Sequence, residues 1–259
     1  MRRLAAIVSL GLLVGCSTAQ PRPEASDARP NRRATVKQVL RSSVRVHVLD
    51  GTEVRRSATG VVIDVVSHEG QPMSYVVTNE HVVEKADLKS VTYQVLVDGP
   101  NGAVTYPATL LAEGAVPNVD LAVLAVPGVR LDPATLATDD ELAVGDDVVV
   151  VGAPYGHGLT VCGGMLSQVE VGDGQPTQLK TDAPVGYGAS GGGMFSVETG
   201  HLLGVVEGYR TAQVQIPGEG GGYTFDVPMP GETFAASVAK LRHFLAEKGP
   251  RHAPITASR

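Results

Sequence analysis

Twelve short runs rich in Val, Leu and Thr, each closed by a polar or glycine-bearing turn, constrain this chain more than anything else in it. They fall into two sets. The first comprises Val44 to Leu49, Thr59 to Val66, Ser74 to Thr78, Val91 to Val97, Val104 to Leu111 and Leu121 to Val126. The second comprises Asp147 to Gly152, Thr160 to Val171, Thr177 to Thr181, Gly193 to Val197, Leu202 to Glu207 and Tyr223 to Val227. Between them, Pro127 to Gly145 reads as a crossing segment. β-Branched residues suit the pleated, half-buried surface of a sheet, and clusters such as Asp98-Gly99-Pro100-Asn101-Gly102 interrupt it. Abundant glycine (31) and proline (17), with no tryptophan, also favour short strands over long helices. Two six-stranded units of about a hundred residues each predict an all-β fold, two antiparallel barrels over 34–133 and 134–230.

The two ends are of other kinds. Arg2-Arg3 followed by the apolar run Leu4 to Gly15 reads as an export signal, too short for a permanent membrane span. It closes on Leu13-Val14-Gly15-Cys16, which resembles a bacterial lipobox. That resemblance implies removal of 1–15 and lipid on Cys16, hence a bacterial cell-envelope protein anchored in a membrane, at the periplasmic or outer surface. Residues 16–33 are rich in Pro, Ala, Arg and Ser with no large apolar residue, the composition of a flexible tether. One helical turn is expected over Val36 to Leu40. At the far end, Phe234, Val238, Leu241 and Leu245 recur at helical spacing and predict an amphipathic helix within 231–248, stopped by Gly249-Pro250, with a loose tail over 249–259. Loss of Arg2 and Arg3 with the signal leaves 19 basic against 27 acidic side chains, a net −8. That balance argues against nucleic acid as a partner. Cys162, the other cysteine, is expected to be a small, partly buried apolar residue.

Three stretches carry chemistry. Gly188-Ala189-Ser190-Gly191-Gly192-Gly193 puts one serine inside a glycine run, where the backbone can turn sharply and leave N–H groups bare beside an exposed hydroxyl. Tyr75-Val76-Val77-Thr78-Asn79-Glu80-His81 is an apolar strand ending in a polar turn that bears a histidine. Asn118-Val119-Asp120-Leu121 sets a carboxylate at the mouth of a buried run. A serine hydroxyl needs a general base, imidazole titrates in the right range, and a carboxylate fixes the imidazole tautomer. The chain order His81, Asp120, Ser190 is that of the chymotrypsin arrangement, not of subtilisin or the α/β-hydrolases.

On these residues the chain resembles chymotrypsin-fold serine peptidases, nearest the bacterial HtrA/Deg branch. The block 75–83 is similar to that branch's T-N-x-H-V-V segment, and Asn118 to Val126 to its D-L-A-V-L segment. Val151 to Gly156, Thr181-Asp182-Ala183 with the glycine run, and Gly222 to Pro228 match further motifs in the same order. The resemblance implies Ser190 as nucleophile, His81 as acid and base, Asp120 as its orienter, and the N–H groups of Gly188 and Ser190 as the oxyanion hole. It also implies a primary pocket with Pro184, Val185 and Gly186 at its floor, and Glu207, Gly208 and Tyr209 on the opposite wall and pairing with substrate backbone. No metal or cofactor is called for. Two positions depart from the branch, Ala189 for Asn or Asp and Gly193 for Pro; neither removes a catalytic atom. The expectation is an envelope-anchored serine endopeptidase acting on polypeptides, after small or medium aliphatic residues because the pocket floor is uncharged. A catalytically silent binding lipoprotein and a serine esterase are the alternatives.

Overall fold

The computed structural model describes residues 31–216 and 222–250. The apolar run 1–15, Cys16, most of the tether and nearly all of the tail lie outside them. Helix α1 (Arg32–Ser42) opens the described chain, its first turn capped by the Asn31 side chain, which accepts the Ala34 N–H at 3.2 Å. Six strands follow: β1 (Ser43–Asp50), β2 (Glu53–His68), β3 (Gln71–Thr78), β4 (Val91–Gly99), β5 (Gly102–Ala115) and β6 (Val119–Pro127). One helical turn, α2 (Glu80–Val83), follows β3. Strands β7 (Asp147–Gly152), β8 (Thr160–Gly172), β9 (Gln175–Thr181), β10 (Gly193–Ser196), β11 (Leu202–Ile216) and β12 (Tyr223–Ser237) form the second set, and α3 (Val238–Lys248) ends the description. Each set closes on itself as an antiparallel barrel, in the orders β1-β2-β3-β6-β5-β4 and β10-β11-β12-β9-β8-β7.

Three apolar clusters explain why the strands read as near-continuous hydrophobic runs. Val44, Val46, Val62, Val76 and Leu124 fill the first barrel; Val148, Val150, Leu166, Leu179, Met194 and Leu203 fill the second. A third cluster lies between the barrels and beneath the helices, with Val39, Val77, Leu121, Val123, Val151, Phe195, Leu202, Leu241 and Phe244. Strand β6 therefore has no solvent face: Ala122, Leu124 and Val126 point into the barrel, while Leu121 and Val123 point into the seam. The crossing segment is stitched to both sides, by Ala134 N–H to Val62 O (2.8 Å) and Ala137 N–H to Leu202 O (2.9 Å).

Two boundaries differ from the sequence reading. The α3 helix begins at Val238, capped by Ser237 Oγ, and Phe234 belongs instead to β12, opposite Gly208 and Lys180. The segment that closes the second barrel is Thr233 to Ala236, paired with β9, not Tyr223 to Val227. Among the described residues the latter pairs only with the outer part of β11, in a two-stranded extension beyond the barrel. The first helix is also longer than the single expected turn.

Candidate active site

The end of β3 leads through Asn79 into α2, so His81 is delivered three residues beyond the end of the strand. Val82 (4% exposed) and Val83 (0%) anchor that turn in the first barrel. Because Thr78 on β3 faces Ala122 on β6, Asp120 comes to the same rim. His81 Nδ1 stands 2.7 Å from Asp120 Oδ2, and the His81 main-chain N–H donates to Oδ1 at 3.0 Å. Asn79 Nδ2 donates to the Asp120 carbonyl at 2.8 Å, so the carboxylate is held at side chain and backbone together. This pairing places the Nδ1 proton toward Asp120 and leaves Nε2 as the accepting nitrogen. The surroundings are acidic: burial first, then the Asp120, Glu84 and Glu113 carboxylates, push the Glu80 carboxyl above its ordinary range.

Ser190 stands on the loop between β9 and β10, and one residue of the first barrel fixes that loop. Thr59 N–H donates to Ser190 O (2.9 Å), Thr59 Oγ1 donates to Gly188 O (2.7 Å), and the same hydroxyl accepts Ala153 N–H (2.9 Å). Thr78 Oγ1 in turn donates to Thr59 O at 2.8 Å, tying this contact to the strand that leads to His81. Two glycines make the close approach possible. Gly188 (φ 94°) and Gly191 (φ 80°) lie in the left-handed region, and a Cβ would strike Ala153 O at the first and Thr59 O and Thr78 Oγ1 at the second. Ala189 N–H, Gly191 N–H and Gly192 N–H donate to Gly186 O, Val206 O and Ala189 O. Among the described residues, the N–H groups of Gly188 and Ser190 donate to no other backbone oxygen. Ala189, where relatives by resemblance carry a polar residue, is buried against Gly152.

Pro184, Val185 and Gly186 line a cavity of about 230 Å³ beside this loop, with Val150, Gly152, Pro154, Thr160, Cys162 and Ala189 as its other walls. Cys162 is thus half-buried among apolar neighbours. Glu207, Gly208 and Tyr209, expected on the opposite wall, are not among the walls of that cavity. The reason lies with Glu207: its side chain, 7% exposed, is turned under α3, where Lys240 Nζ (3.4 Å) and Gln178 Nε2 (3.1 Å) hold it. Burial is the largest effect on it and raises its pKa, against the opposing pull of Lys240. Tyr209 instead joins an aromatic row, edge-on to Tyr187 (centroids 6.0 Å), which is 6.2 Å from Tyr155. Burial and the Tyr187 hydroxyl push the Tyr209 phenol up to about 12. Thr59, Asn79, Tyr155 and Tyr187 are the parts of the site to which sequence reasoning gave no role; Asn79 and Tyr155 stood in recognised blocks. Among the described residues no cluster of three or more His, Cys, Asp or Glu could hold a metal ion, and no helix is long and apolar enough to cross a membrane.

A model of the trypsin-like peptidase domain family matches residues 58–205. The chain is 35% identical over 164 residues to a probable periplasmic serine endoprotease, DegP-like, of Chlamydia pneumoniae, a match covering 61% of this chain and 30% of the relative. It is 30% identical over 181 residues to a probable periplasmic serine protease, do/HhoA-like, of Haemophilus influenzae, covering 68% and 36%. The matched region thus spans about a third of these relatives. Among solved structures, a serine endoprotease from Yersinia pestis superposes with a TM-score of 0.62 at 24% identity, over 84% of this chain and 66% of that one. An inactive mutant form of Rv3671c from M. tuberculosis superposes at 0.59 and 25% identity, over 91% and 97%.

Proposed function

This chain belongs to the trypsin-like peptidase domain family, and on that premise we propose that it is a cell-envelope serine endopeptidase with Ser190, His81 and Asp120 as its catalytic residues. The observation that carries the reading is the 2.7 Å contact of His81 Nδ1 with Asp120 Oδ2, on a rim to which Thr59 ties the Ser190 loop. Ser190 Oγ attacks the scissile carbonyl while His81 Nε2 takes its proton, and Asp120 stabilises the imidazolium. The developing oxyanion is met by the N–H groups of Gly188 and Ser190. Collapse of the tetrahedral species sends the imidazolium proton to the leaving amine and leaves an acyl ester on Ser190. Water, deprotonated by the same imidazole, then hydrolyses that ester and restores the hydroxyl.

The uncharged lining at Pro184, Val185 and Gly186 supports cleavage after small or medium aliphatic residues. A Lys or Arg there would be desolvated without a partner, at a cost of several kcal/mol. Glu207 offers none, since Lys240 engages it. Lipid on Cys16, held off by the tether, places the enzyme at a membrane surface facing the periplasm or exterior; the Cys16→Ser protein should leave the detergent phase with its peptidase activity intact. The deciding experiment is labelling with a fluorophosphonate probe, followed by peptide mapping. Wild type should carry the label on Ser190 and digest casein. If Ser190→Ala digests casein at the wild-type rate, the assignment is wrong.

A further inference from the structure

Strands β11 and β12 outrun their barrel. β10 pairs with β11 only from Leu202 to Val205, and β9 pairs with β12 only from Thr233 to Ala236. Beyond that, Thr211 to Ile216 and Tyr223 to Pro228 pair only with each other among the described residues. The register Ala212↔Val227, Val214↔Phe225, Ile216↔Tyr223 puts six apolar side chains on one face of this arm, and Thr211, Gln213, Gln215, Thr224 and Asp226 on the other. The apolar face is bare: Val214 is 44% exposed, Ile216 52%, Tyr223 68% and Phe225 50%. A two-stranded ribbon is marginal in water, and a third strand along a hydrophobic face is what usually secures one.

The edge on which such a strand would add is free. From Glu207 outward, β11 has β12 on one side and no strand on the other among the described residues. That free edge begins at the nucleophile loop, because Val206 N–H donates to Gly192 O and Val206 O accepts Gly191 N–H, both within 2.9 Å. The segments 17–30, 217–221 and 251–259 together hold one large aliphatic residue, Ile255, and no aromatic side chain.

We propose that the substrate itself is the third strand. Resting on the peptidase reading above, a polypeptide paired with Glu207 to Tyr209 and presented to Ser190 continues along the free edge of the arm. Six further residues at ~3.3 Å each extend the docking track by about 20 Å. Its side chains alternate between the two faces, so every second residue joins the row Ala212, Val214, Ile216. The enzyme thus selects extended, unfolded segments with apolar residues at alternate positions, over a stretch far longer than the residues flanking the cut.

The full-length Ser190→Ala protein tests this by binding alone, with fluorescein-labelled peptides followed by anisotropy. A 14-residue peptide with Val and Thr alternating on one side of an Ala-Ala centre should bind about tenfold tighter than a 6-residue peptide with the same centre. An isomer with the same Val and Thr in two blocks should bind like the short one. Val214→Thr with Phe225→Thr should abolish the gain and leave short-peptide binding unchanged. In the catalytically intact protein the same advantage should appear in KM, not kcat. Equal affinity for the three peptides, or an advantage that survives the double substitution, overturns the proposal. So does a double variant whose mass in sedimentation velocity drops by half, or that no longer floats with phosphatidylglycerol vesicles, while its long-peptide binding is kept. If wild type cuts neither peptide yet binds the alternating one tightly, docking stands and the peptidase reading falls.

Discussion

The two barrels contribute to the site in opposite styles. The first offers a pair of side chains, His81 and Asp120, each fixed by hydrogen bonds within its own rim. The second offers a hydroxyl on a loop shaped by glycines and held from outside, by Thr59 of the other barrel. In one case side-chain chemistry is positioned by local packing; in the other, backbone geometry is positioned by a long-range contact. On the proposed reading, the first barrel contributes side chains set by their own rim, and the second a hydroxyl whose placement is set by backbone shape.

Substitutions can break that contrast at several levels. Removing the reacting groups has the largest effect: Ser190→Ala or His81→Ala should each lower kcat by roughly 10⁴–10⁶ on a casein-derived peptide, with thermal unfolding little changed. Next comes Asp120→Asn, which keeps the shape but reverses the histidine tautomer and should cost about 10⁴ in kcat. On the second barrel the sharp change is Gly191→Ala, where the added Cβ meets Thr59 O and Thr78 Oγ1 in a left-handed backbone. It should cost roughly 10²–10³ in kcat, the scale of losing an oxyanion donor, and slow fluorophosphonate labelling in proportion. If Gly191→Ala costs more than Asp120→Asn, the contrast is reversed and backbone shape dominates the site as a whole.

Thr59→Val is gentler. It keeps the volume and removes the hydroxyl that serves Gly188 O and Ala153 N–H, so unfolding by denaturant should show a loss of about 1–3 kcal/mol. The accompanying fall in kcat should exceed that of a valine-to-alanine change in either barrel interior with equal loss of stability. Glu207→Gln should have the smallest effect, and one readable only in pH. A carboxyl with a raised folded pKa stabilises the fold below the unfolded value of 4.5, and that contribution is lost as pH rises through the folded value. The variant's melting temperature should therefore vary less than wild type's from pH 4.5 upward.

The residues that speak locally were the legible ones. β6 reads as doubly buried because Leu121 to Val126 has no polar position, and that makes Asp120 at its mouth conspicuous. The glycine run around Ser190 is visible for the same kind of reason. Pairing partners are less legible. Tyr223 to Val227 alternates as a strand should, but periodicity does not say what it pairs with. The true closing segment, Thr233 to Ala236, has the small residues Ala235 and Ala236 and a weak strand signature, while Phe234 sits by chance at helical spacing from Val238. Thr59 lies 131 residues from Ser190, and nothing in its neighbours marks it as the contact between them. Lys240, off the apolar stripe of α3, reads as solvated until the fold sets Glu207 beneath it.

The order of strands around the second barrel has a bearing on how the fold comes into being. β12 stands between β11 and β9, so the cylinder holding the Ser190 loop stays open until residues 233–236 are in place. The first barrel needs nothing beyond β6. In a chain made from its N-terminus onward, His81 and Asp120 can be brought together while the Ser190 loop still lacks its scaffold. On the proposed reading, hydrolytic competence is thereby deferred until residues 233–236 have been made and paired.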